Sequence, residues 1–369
     1  MRVLLDFRTK PSYTPVIDLV NDLSRRYDVF LIPNKMSPPI GLNDNVILCR
    51  DIDVRNIRPD VIFSTYSTLL IISLLKAKFK SPVVNYMFIY MPLHDFFTKF
   101  LALPNSYKLG EMLNLVAFSL PKSSLMFDKL IVPNPMVEKC LINLGFPKDK
   151  IVVLAWGIDV DRYDPQRFPH SSHSSLMKYD EEDSIIYAGP LHPLRFHTQL
   201  LYAFSKVIKR HDNVRLLLLF RKDLWHQYTY NELINTINKL KLNKKVSIMI
   251  SSSYEIYLSN VARASIVILP YFSSGIVEAP PFTLLECMAL SKPVITSYGI
   301  MTHDIIHDGI NGFIIPEDTS SLASLIDFLI SNKEIAYRVG QRARMYVQEK
   351  YNLTNFSSKL SHLLESCCR

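Results

Sequence analysis

Two carboxylates separated by seven residues, Glu278 and Glu286, mark the stretch of the chain best suited to chemistry. Glu278 precedes an apolar helical pattern and Glu286 lies inside it, between the short β-branched runs 265–270 and 293–296. A helix between two such runs is typical of a parallel βαβ unit. The loop and the helix start then lie at the carboxyl end of the sheet, where open α/β sheets bind ligands. Helix N–H groups favour phosphate there, and a carboxylate accepts hydrogen bonds from sugar hydroxyls.

Glu286 also has a simpler interpretation. On a helix it shares one face with Thr283, Cys287 and Leu290, so it could be an ordinary solvated side chain. The choice between a ligand contact and a solvated surface residue depends on what the rest of the stretch resembles.

The stretch resembles the retaining glycosyltransferases of family 4, the glycosyl transferases group 1, which have the GT-B fold. Their pattern is roughly E-G-F-G-L-x-x-L-E-A-M-A-x-G-K-P-V-I. The matching residues here are Glu278, Leu285, Glu286, Met288, Ala289, Lys292, Pro293, Val294 and Ile295. The resemblance implies that Glu286 binds the ribose of a nucleotide-sugar donor, and that Glu278 binds the sugar to be transferred.

Two further segments carry the same resemblance. The family ends its first domain with N-G-V-D-x-x-x-F-x-P, and Gly157, Asp159, Tyr163 and Pro165 fall on that pattern. The segment 307–316, HDGINGFIIP, is similar to the family's D-G-x-N-G-F-L-V-P turn. The resemblance therefore extends over nearly the whole chain and is strongest after residue 150.

The family's phosphate-binding segment, G-R-x-x-x-x-K, is only partly present. Gly189 and Arg195 occupy the glycine and lysine positions, and a planar guanidinium suits phosphate. Pro190 stands at the arginine position and supplies no charge. The residues that could compensate are Arg221, Lys222 and His192.

The start of the helix before Glu286 departs from the family pattern as well. Pro280 and Pro281 stand where the helix should begin, and they offer no backbone N–H to a donor. Phe282 and Thr283 follow and still offer theirs. In the first domain, the resemblance makes His94 the candidate to meet the donor sugar; its alternative is a hydrogen-bonded loop histidine.

Strands and helices alternate along the whole chain, which predicts an α/β protein with doubly wound parallel sheets. Together with the resemblance, this predicts a GT-B architecture of two Rossmann-like domains facing a central cleft. We expect an acceptor-binding domain over 1–168, a nucleotide-sugar-binding domain over 169–350, and a C-terminal helix over 351–369 that returns to the first domain.

Composition excludes several other classes of protein. No run approaches the roughly 20 apolar residues of a membrane span, and the N-terminal apolar run is too short for a signal peptide, so we expect a cytoplasmic protein. Five cysteines without a C-x-x-C spacing indicate neither a disulfide framework nor zinc. We expect no metal site, and interpret the D-x-D sequences at 51–53 and 159–161 as structural. A UDP- or GDP-linked sugar is expected as substrate, without a cofactor.

The positive charge is concentrated in the first domain. Residues 1–150 carry 19 Lys and Arg against 13 Asp and Glu, whereas the remainder carries 23 against 21. No nucleic-acid motif accompanies this excess, so an anionic membrane surface or a lipid-linked acceptor fits it better. The segment 96–122 alternates aromatic and leucine residues with lysines. It is interpreted either as an interfacial membrane segment or as two core helices with basic edges.

These observations favour a retaining glycosyltransferase that moves a sugar from a nucleotide-sugar donor to a hydroxyl of a glycan or a lipid-linked acceptor. Two alternatives stay open: a GT-B sugar-nucleotide epimerase, which needs no acceptor, and a non-catalytic GT-B subunit. Pro190 and the Pro280–Pro281 pair are the residues that favour the last.

Overall fold

A computed structural model gives the structure of most of the chain. The residues that it describes are 1–6, 14–32, 41–49, 57–65, 79–86, 127–168, 183–191, 195, 197–221, 227–251, 253–270, 281–298, 302, 304–316 and 318–369. The site candidates His94, His192, Lys222 and Glu278 lie outside these ranges, as do the segments 51–53 and 96–122.

The described residues form two compact units. The first lies within Met1–Asp159 and Tyr351–Arg369, and the second within Val160–Ser274 and Pro281–Lys350. Each unit contains one sheet in which every paired strand is parallel. The predicted class, α/β with two doubly wound sheets, is confirmed.

The sheet of the first unit has seven strands among the described residues, in the order β3-β2-β1-β4-β5-β6-β7. Its order reverses between β1 and β4, which is the topological switch point of a doubly wound sheet. The strands are β1 (Arg2–Asp6), β2 (Asp28–Ile32), β3 (Val46–Leu48), β4 (Val61–Thr65), β5 (Val83–Tyr86), β6 (Lys129–Val132) and β7 (Ile151–Val153).

Helices α1 (Thr14–Ser24) and α2 (Pro135–Asn143) belong to the first unit. Strand β6 ends at Val132, directly before Pro133. Proline has no N–H for a strand ladder. Asn134 instead caps α2, because its Oδ1 accepts a hydrogen bond of 2.9 Å from the backbone N–H of Val137.

The last helix of the chain, α9 (Leu353–Cys367), also belongs to the first unit. The ring of Phe356 stacks on Trp156 with centroids 4.9 Å apart. Ile158 exchanges backbone hydrogen bonds of 2.8 and 2.9 Å with the residues on either side of Asn352. A Cβ at Gly157 would come within 2.5 Å of the Asn352 backbone, so only glycine allows this approach.

The sheet of the second unit has six strands among the described residues, in the order β10-β9-β8-β11-β12-β13. Its order reverses between β8 and β11. The strands are β8 (Asp183–Gly189), β9 (Val214–Arg221), β10 (Val246–Ser251), β11 (Ile266–Leu269), β12 (Val294–Ser297) and β13 (Phe313–Ile315). Their near-continuous apolar sequences fit a parallel sheet that is covered on both faces.

The described helices of the second unit are α3 (His197–Val207), α4 (Gln227–Lys239), α5 (Tyr254–Arg263), α6 (Phe282–Ala289), α7 (Thr319–Ser331) and α8 (Lys333–Lys350). The sequence analysis did not assign α5. The other five agree with the patterns that predicted them. Helix α3 buries its apolar residues, among them Leu200, Leu201 and Phe204, in the core formed with β8 and β9.

The segment 307–316 forms a tight turn that leads into β13, and its polar side chains make hydrogen bonds to the backbone. Gly309 has φ +71°, a conformation that glycine adopts without strain. Asn311 is buried; its Oδ1 accepts from the His307 backbone at 2.7 Å and its amide donates to the Ile305 carbonyl at 3.0 Å. Asp308 accepts from the Ile314 N–H at 2.8 Å.

Candidate functional site

Helix α6 starts at the edge of the second sheet where an α/β protein binds its ligand. Strand β11 ends at Leu269 and its neighbour β8 ends at Gly189, on either side of the point where the strand order reverses. The crevice outside the carboxyl ends at this point is the expected ligand position. Residues 271–280, which connect β11 to α6 and include Glu278, are outside the described residues.

Glu286 is buried on α6, with 4% of its surface exposed. The interpretation of Glu286 as a solvated helix residue is therefore wrong. The hydroxyl of Tyr254, the first residue of α5, donates a hydrogen bond of 2.7 Å to Glu286 Oε1. A carboxylate away from water needs such a donor, because an isolated buried charge is costly.

A second tyrosine continues this hydrogen-bonded chain. The hydroxyls of Tyr163 and Tyr254 are 2.7 Å apart. Since Tyr254 gives its hydrogen to Glu286, it must accept from Tyr163. Burial, and then the negative charge of Glu286, raises the pKa of Tyr254 well above its usual value, so Tyr254 stays protonated and remains a donor.

Arg344 of α8 connects Tyr163 to the C-terminal end of α6. Its guanidinium donates to the carbonyl of Tyr163 at 2.8 Å and to the carbonyl of Ala289, the last residue of α6. It also lies 4.0 Å from the carboxylate of Asp164. A cation at the C-terminal carbonyls of a helix complements the helix dipole.

The end of α6 is also fixed by α8 and α5. Ser291 follows the helix with φ +59°, and α8 approaches it so closely that a Cβ on Gly340 would lie 2.1 Å from the Ser291 carbonyl oxygen. Lys292 donates to the carbonyl of Ala264, just after α5, at 3.2 Å. Burial lowers the pKa of Lys292 to about 8. Lys292 is thus a structural member of the motif that the sequence singled out.

The candidate phosphate residues surround the carboxyl ends of β8 and β9. Gly189 is buried, and the Pro190 carbonyl accepts a hydrogen bond of 2.7 Å from Tyr187. Arg195 is partly buried, and its carbonyl accepts from the His197 N–H that begins α3, at 2.8 Å. Gly189 is the register partner of Phe220, so the backbone of Arg221 lies one position further along the neighbouring strand.

Phe282 and Thr283 form the first turn of α6, as the sequence predicted. The ring of Phe282 is buried. The backbone N–H groups of Leu284 and Leu285 donate to the Pro281 carbonyl at 2.9 and 3.2 Å. Pro281 thus closes the first turn through its carbonyl, although it has no N–H of its own.

The described residues offer neither a metal-binding cluster nor a membrane-spanning helix. Within those ranges, no group of three or more His, Cys, Asp or Glu side chains is placed to hold a metal ion. None of the described helices has both the length and the apolar character needed to cross a membrane.

Known proteins resemble this chain in sequence and in structure. A family model described as glycosyl transferases group 1 matches residues 171–346. Residues 171–346 belong to the glycosyl transferases group 1 family. This region contains β8, β11, α6, Tyr254 and Arg344, whereas Tyr163 precedes it.

Curated relatives match this chain only in part. The chain is 27% identical to alpha-D-kanosaminyltransferase of Streptomyces kanamyceticus over 123 residues, which are 32% of this chain and 30% of that protein. It is 22% identical to lipopolysaccharide 1,2-N-acetylglucosaminetransferase of Salmonella typhimurium over 272 residues, which are 71% of this chain and 68% of that protein. The chain thus spans less than a third of the length of the first relative.

Solved structures match over nearly the whole length. HepE of Anabaena, solved in complex with UDP and glucose, has a TM-score of 0.76 at 16% identity, covering 99% of this chain and 100% of that one. Sucrose-phosphate synthase of Thermosynechococcus elongatus has a TM-score of 0.76 at 14% identity, covering 99% and 98%. With its two parallel sheets and these matches, the chain has the GT-B fold.

The sequence analysis missed the partner that holds Glu286. Tyr254, Tyr257, Leu258 and Val261 have the spacing i, i+3, i+4, i+7, which predicts α5 and places Tyr254 on its buried face. Tyr163 was matched to a family position that carries phenylalanine. The hydroxyl that distinguishes it from phenylalanine is the atom that contacts Tyr254.

Proposed function

We propose that this protein is a retaining glycosyltransferase that transfers a sugar from a UDP- or GDP-linked donor to a hydroxyl of a glycan or a lipid-linked acceptor. The observation that carries the proposal is the buried carboxylate of Glu286, on the helix that follows the central strand β11 at the switch point of the second sheet. A carboxylate is kept at such a position at a cost in desolvation, which ligand hydroxyls offset.

The donor is bound by residues around the carboxyl ends of β8, β9 and β11. Glu286 accepts hydrogen bonds from the ribose. Arg195 binds the diphosphate, with Gly189 allowing close approach of the backbone and the N–H groups of Phe282 and Thr283 facing the donor. Outside the described side chains, Glu278 and His94 bind the transferred sugar, and Arg221 and Lys222 add positive charge.

In the reaction, the bond between the anomeric carbon and the diphosphate oxygen breaks, and the electron pair leaves with the nucleoside diphosphate. The acceptor hydroxyl oxygen forms the new bond to the same carbon, and its proton passes to the departing phosphate. Arg195 stabilises the charge that develops on the leaving group. No protein nucleophile and no metal ion takes part in this scheme, and the configuration is retained.

The relatives support the donor class and leave the acceptor open. HepE was solved with UDP and glucose, and the Salmonella relative is named as a lipopolysaccharide transferase. The excess of positive charge in residues 1–150 fits an anionic, lipid-linked acceptor at the surface of a membrane. We therefore propose peripheral contact with the cytoplasmic face of a membrane and no contact with nucleic acid.

One observation favours a second candidate, a non-catalytic subunit of the same fold. Pro190 replaces the family's phosphate-binding arginine, and the Pro190 carbonyl is engaged within the protein by Tyr187. Such a subunit would bind a donor and release no nucleotide.

A two-step experiment tests the proposal. Thermal shift with UDP, GDP and their common sugar conjugates identifies the donor, and nucleotide release is then measured with and without a membrane-lipid extract as acceptor. We expect release that depends on the extract. Release without any acceptor would indicate an epimerase or a hydrolase, donor binding without release would indicate the non-catalytic subunit, and no shift with any nucleotide would overturn the proposal.

A further inference from the structure

Tyr163 makes two hydrogen bonds to residues that contact α6, one through its hydroxyl and one through its backbone carbonyl. Its hydroxyl meets Tyr254, which donates to the Glu286 carboxylate in the middle of the helix. Its carbonyl accepts from Arg344, which also donates to Ala289 at the helix end. One residue thereby links the side chain of Glu286 to the backbone of the helix that carries it.

We propose that Tyr254 and Tyr163 are positioning residues, which orient the Glu286 carboxylate so that it recognises the ribose hydroxyls of the donor. The inference rests on the proposed function, because it assigns a role in the same nucleotide site. It goes beyond that function by predicting that two hydroxyls remote in sequence determine how strongly the site distinguishes a ribonucleotide from its deoxy analogue.

The geometry explains why hydroxyls are needed at both positions. Glutamate has three rotatable side-chain bonds, and its carboxylate can turn unless a donor fixes it. Tyr254 supplies that donor from a rigid ring, stacked almost parallel on Tyr257 with centroids 6.0 Å apart and planes 11° apart. A carboxylate has roughly four lone-pair sites, so one that accepts from a tyrosine hydroxyl can accept ribose hydroxyls as well.

Tyr163 fixes the direction of the Tyr254 hydroxyl. A phenolic O–H can rotate, and its direction depends on which neighbour accepts its one hydrogen. The carboxylate takes the hydrogen of Tyr254, so the Tyr254 oxygen accepts the hydrogen of Tyr163, and the two bonds together hold the Tyr254 hydroxyl in one direction. Chains of hydrogen bonds in a buried environment also strengthen each other.

The test compares two ligands on the same variants. Calorimetry measures Kd for UDP and for 2′,3′-dideoxy-UDP, or for the guanosine pair if GDP is the nucleotide bound, and their ratio reports ribose recognition. We expect the wild type to bind the ribonucleotide about tenfold or more tightly than its dideoxy analogue. Tyr254→Phe should reduce this ratio at least about threefold by weakening ribonucleotide binding, with dideoxy binding unchanged, and Tyr163→Phe should reduce it less.

Tyr257→Phe is the matched control. Tyr257 lies one turn further along α5, is 2% exposed and stacks on Tyr254, so the same substitution is made on the same face of the helix. A purely structural effect would lower thermal stability and leave the ratio alone in both variants. In a Glu286→Gln background, Tyr254→Phe should cause no further loss of the ratio, because it acts through the carboxylate.

The outcomes separate this inference from the function on which it rests. A wild type that binds neither UDP nor GDP overturns both. A wild type that distinguishes the two ligands, with a Tyr254→Phe ratio equal to that of Tyr257→Phe, overturns the positioning role alone. If Tyr254→Phe does not fold, Tyr163→Phe provides the same comparison, and an unchanged ratio there overturns the proposal.

Discussion

Gly340 of α8 lies against the backbone of Ser291, the residue that ends the turn after α6, and a Cβ on Gly340 would come within 2.1 Å of the Ser291 carbonyl oxygen. Real Cβ atoms do not approach an oxygen so closely, so the two segments would have to move apart. The contact holds the helix that carries Glu286 against α8. It also explains why glycine stands inside a helix of eighteen residues.

Gly340→Ala should therefore destabilise the protein, although alanine is the better helix former. Helix propensity alone would raise the free energy of unfolding by about 1 kcal/mol. The clash with backbone should outweigh this gain and lower it by about 1–3 kcal/mol. Urea denaturation followed by circular dichroism gives the sign, and a stabilised variant would show that α8 can move away without cost.

Glu286→Ala should weaken donor binding about 10- to 100-fold, since a hydrogen bond to a charged group contributes about 1.5–3 kcal/mol. The measurement is calorimetry with the nucleotide sugar that the thermal-shift screen selects. Glu334→Ala is the control, because Glu334 is a largely exposed carboxylate at the start of α8. Equal affinities for the Glu286→Ala variant and the control would remove the ribose role from Glu286.

Arg195→Ala should reduce turnover more than it reduces donor affinity, because stabilisation of a leaving group acts mainly in the transition state. We expect kcat to fall about 10²- to 10³-fold, the scale of electrostatic catalysis by one donor. Arg210→Ala serves as the control, since the exposed Arg210 pairs with Asp327 at 3.0 Å at the end of α3. A normal kcat for Arg195→Ala would shift the phosphate role to Arg221 or Lys222.

The pKa of Lys292 predicts a pH dependence of stability. Burial lowers it from 10.5 to about 8 in the folded state. Between pH 8 and pH 10.5 the unfolded chain binds more protons than the folded chain, so the free energy of unfolding rises with pH. Below the folded pKa, Lys292 is charged in both states, and the whole cost of burying its charge lowers the stability of the folded protein. From pH 7 to pH 10, the wild type should gain about 1–3 kcal/mol more stability than Lys292→Met. Parallel profiles for the two proteins would mean that Lys292 keeps its ordinary pKa when folded.

Much of the second unit was predictable, because burial in a parallel sheet leaves strong local patterns. The runs that became β8, β9 and β11 are apolar, with leucines in β9 and β-branched residues in β11, and a helical pattern follows β11. The position of Glu286 on the helix after β11 was expected from this alternation and from the family pattern. Its burial did not, because Thr283 and Cys287 on the same face are also found on solvated helices.

The contacts that hold Glu286 could not be predicted from local patterns. The hydrogen bond from Tyr254 to Glu286 joins residues 32 positions apart in the sequence, and the bond between Tyr163 and Tyr254 joins residues 91 positions apart. Periodicity indicates which face of a helix is buried, but it does not indicate which hydroxyl meets which carboxylate. That depends on the register and packing of separate elements, which only the folded structure provides.

The stacking of Phe356 on Trp156, and the close passage of Asn352 over Gly157, have a consequence for how the chain folds during synthesis. The first unit is completed by Tyr351–Arg369, whereas the second lies within Val160–Ser274 and Pro281–Lys350, before that last segment. On the ribosome, the stretch that emerges second can finish folding before the stretch that emerges first. Until residues 351–369 are made, the indole of Trp156 lacks its stacking partner Phe356, and the first unit cannot complete its packing around that ring.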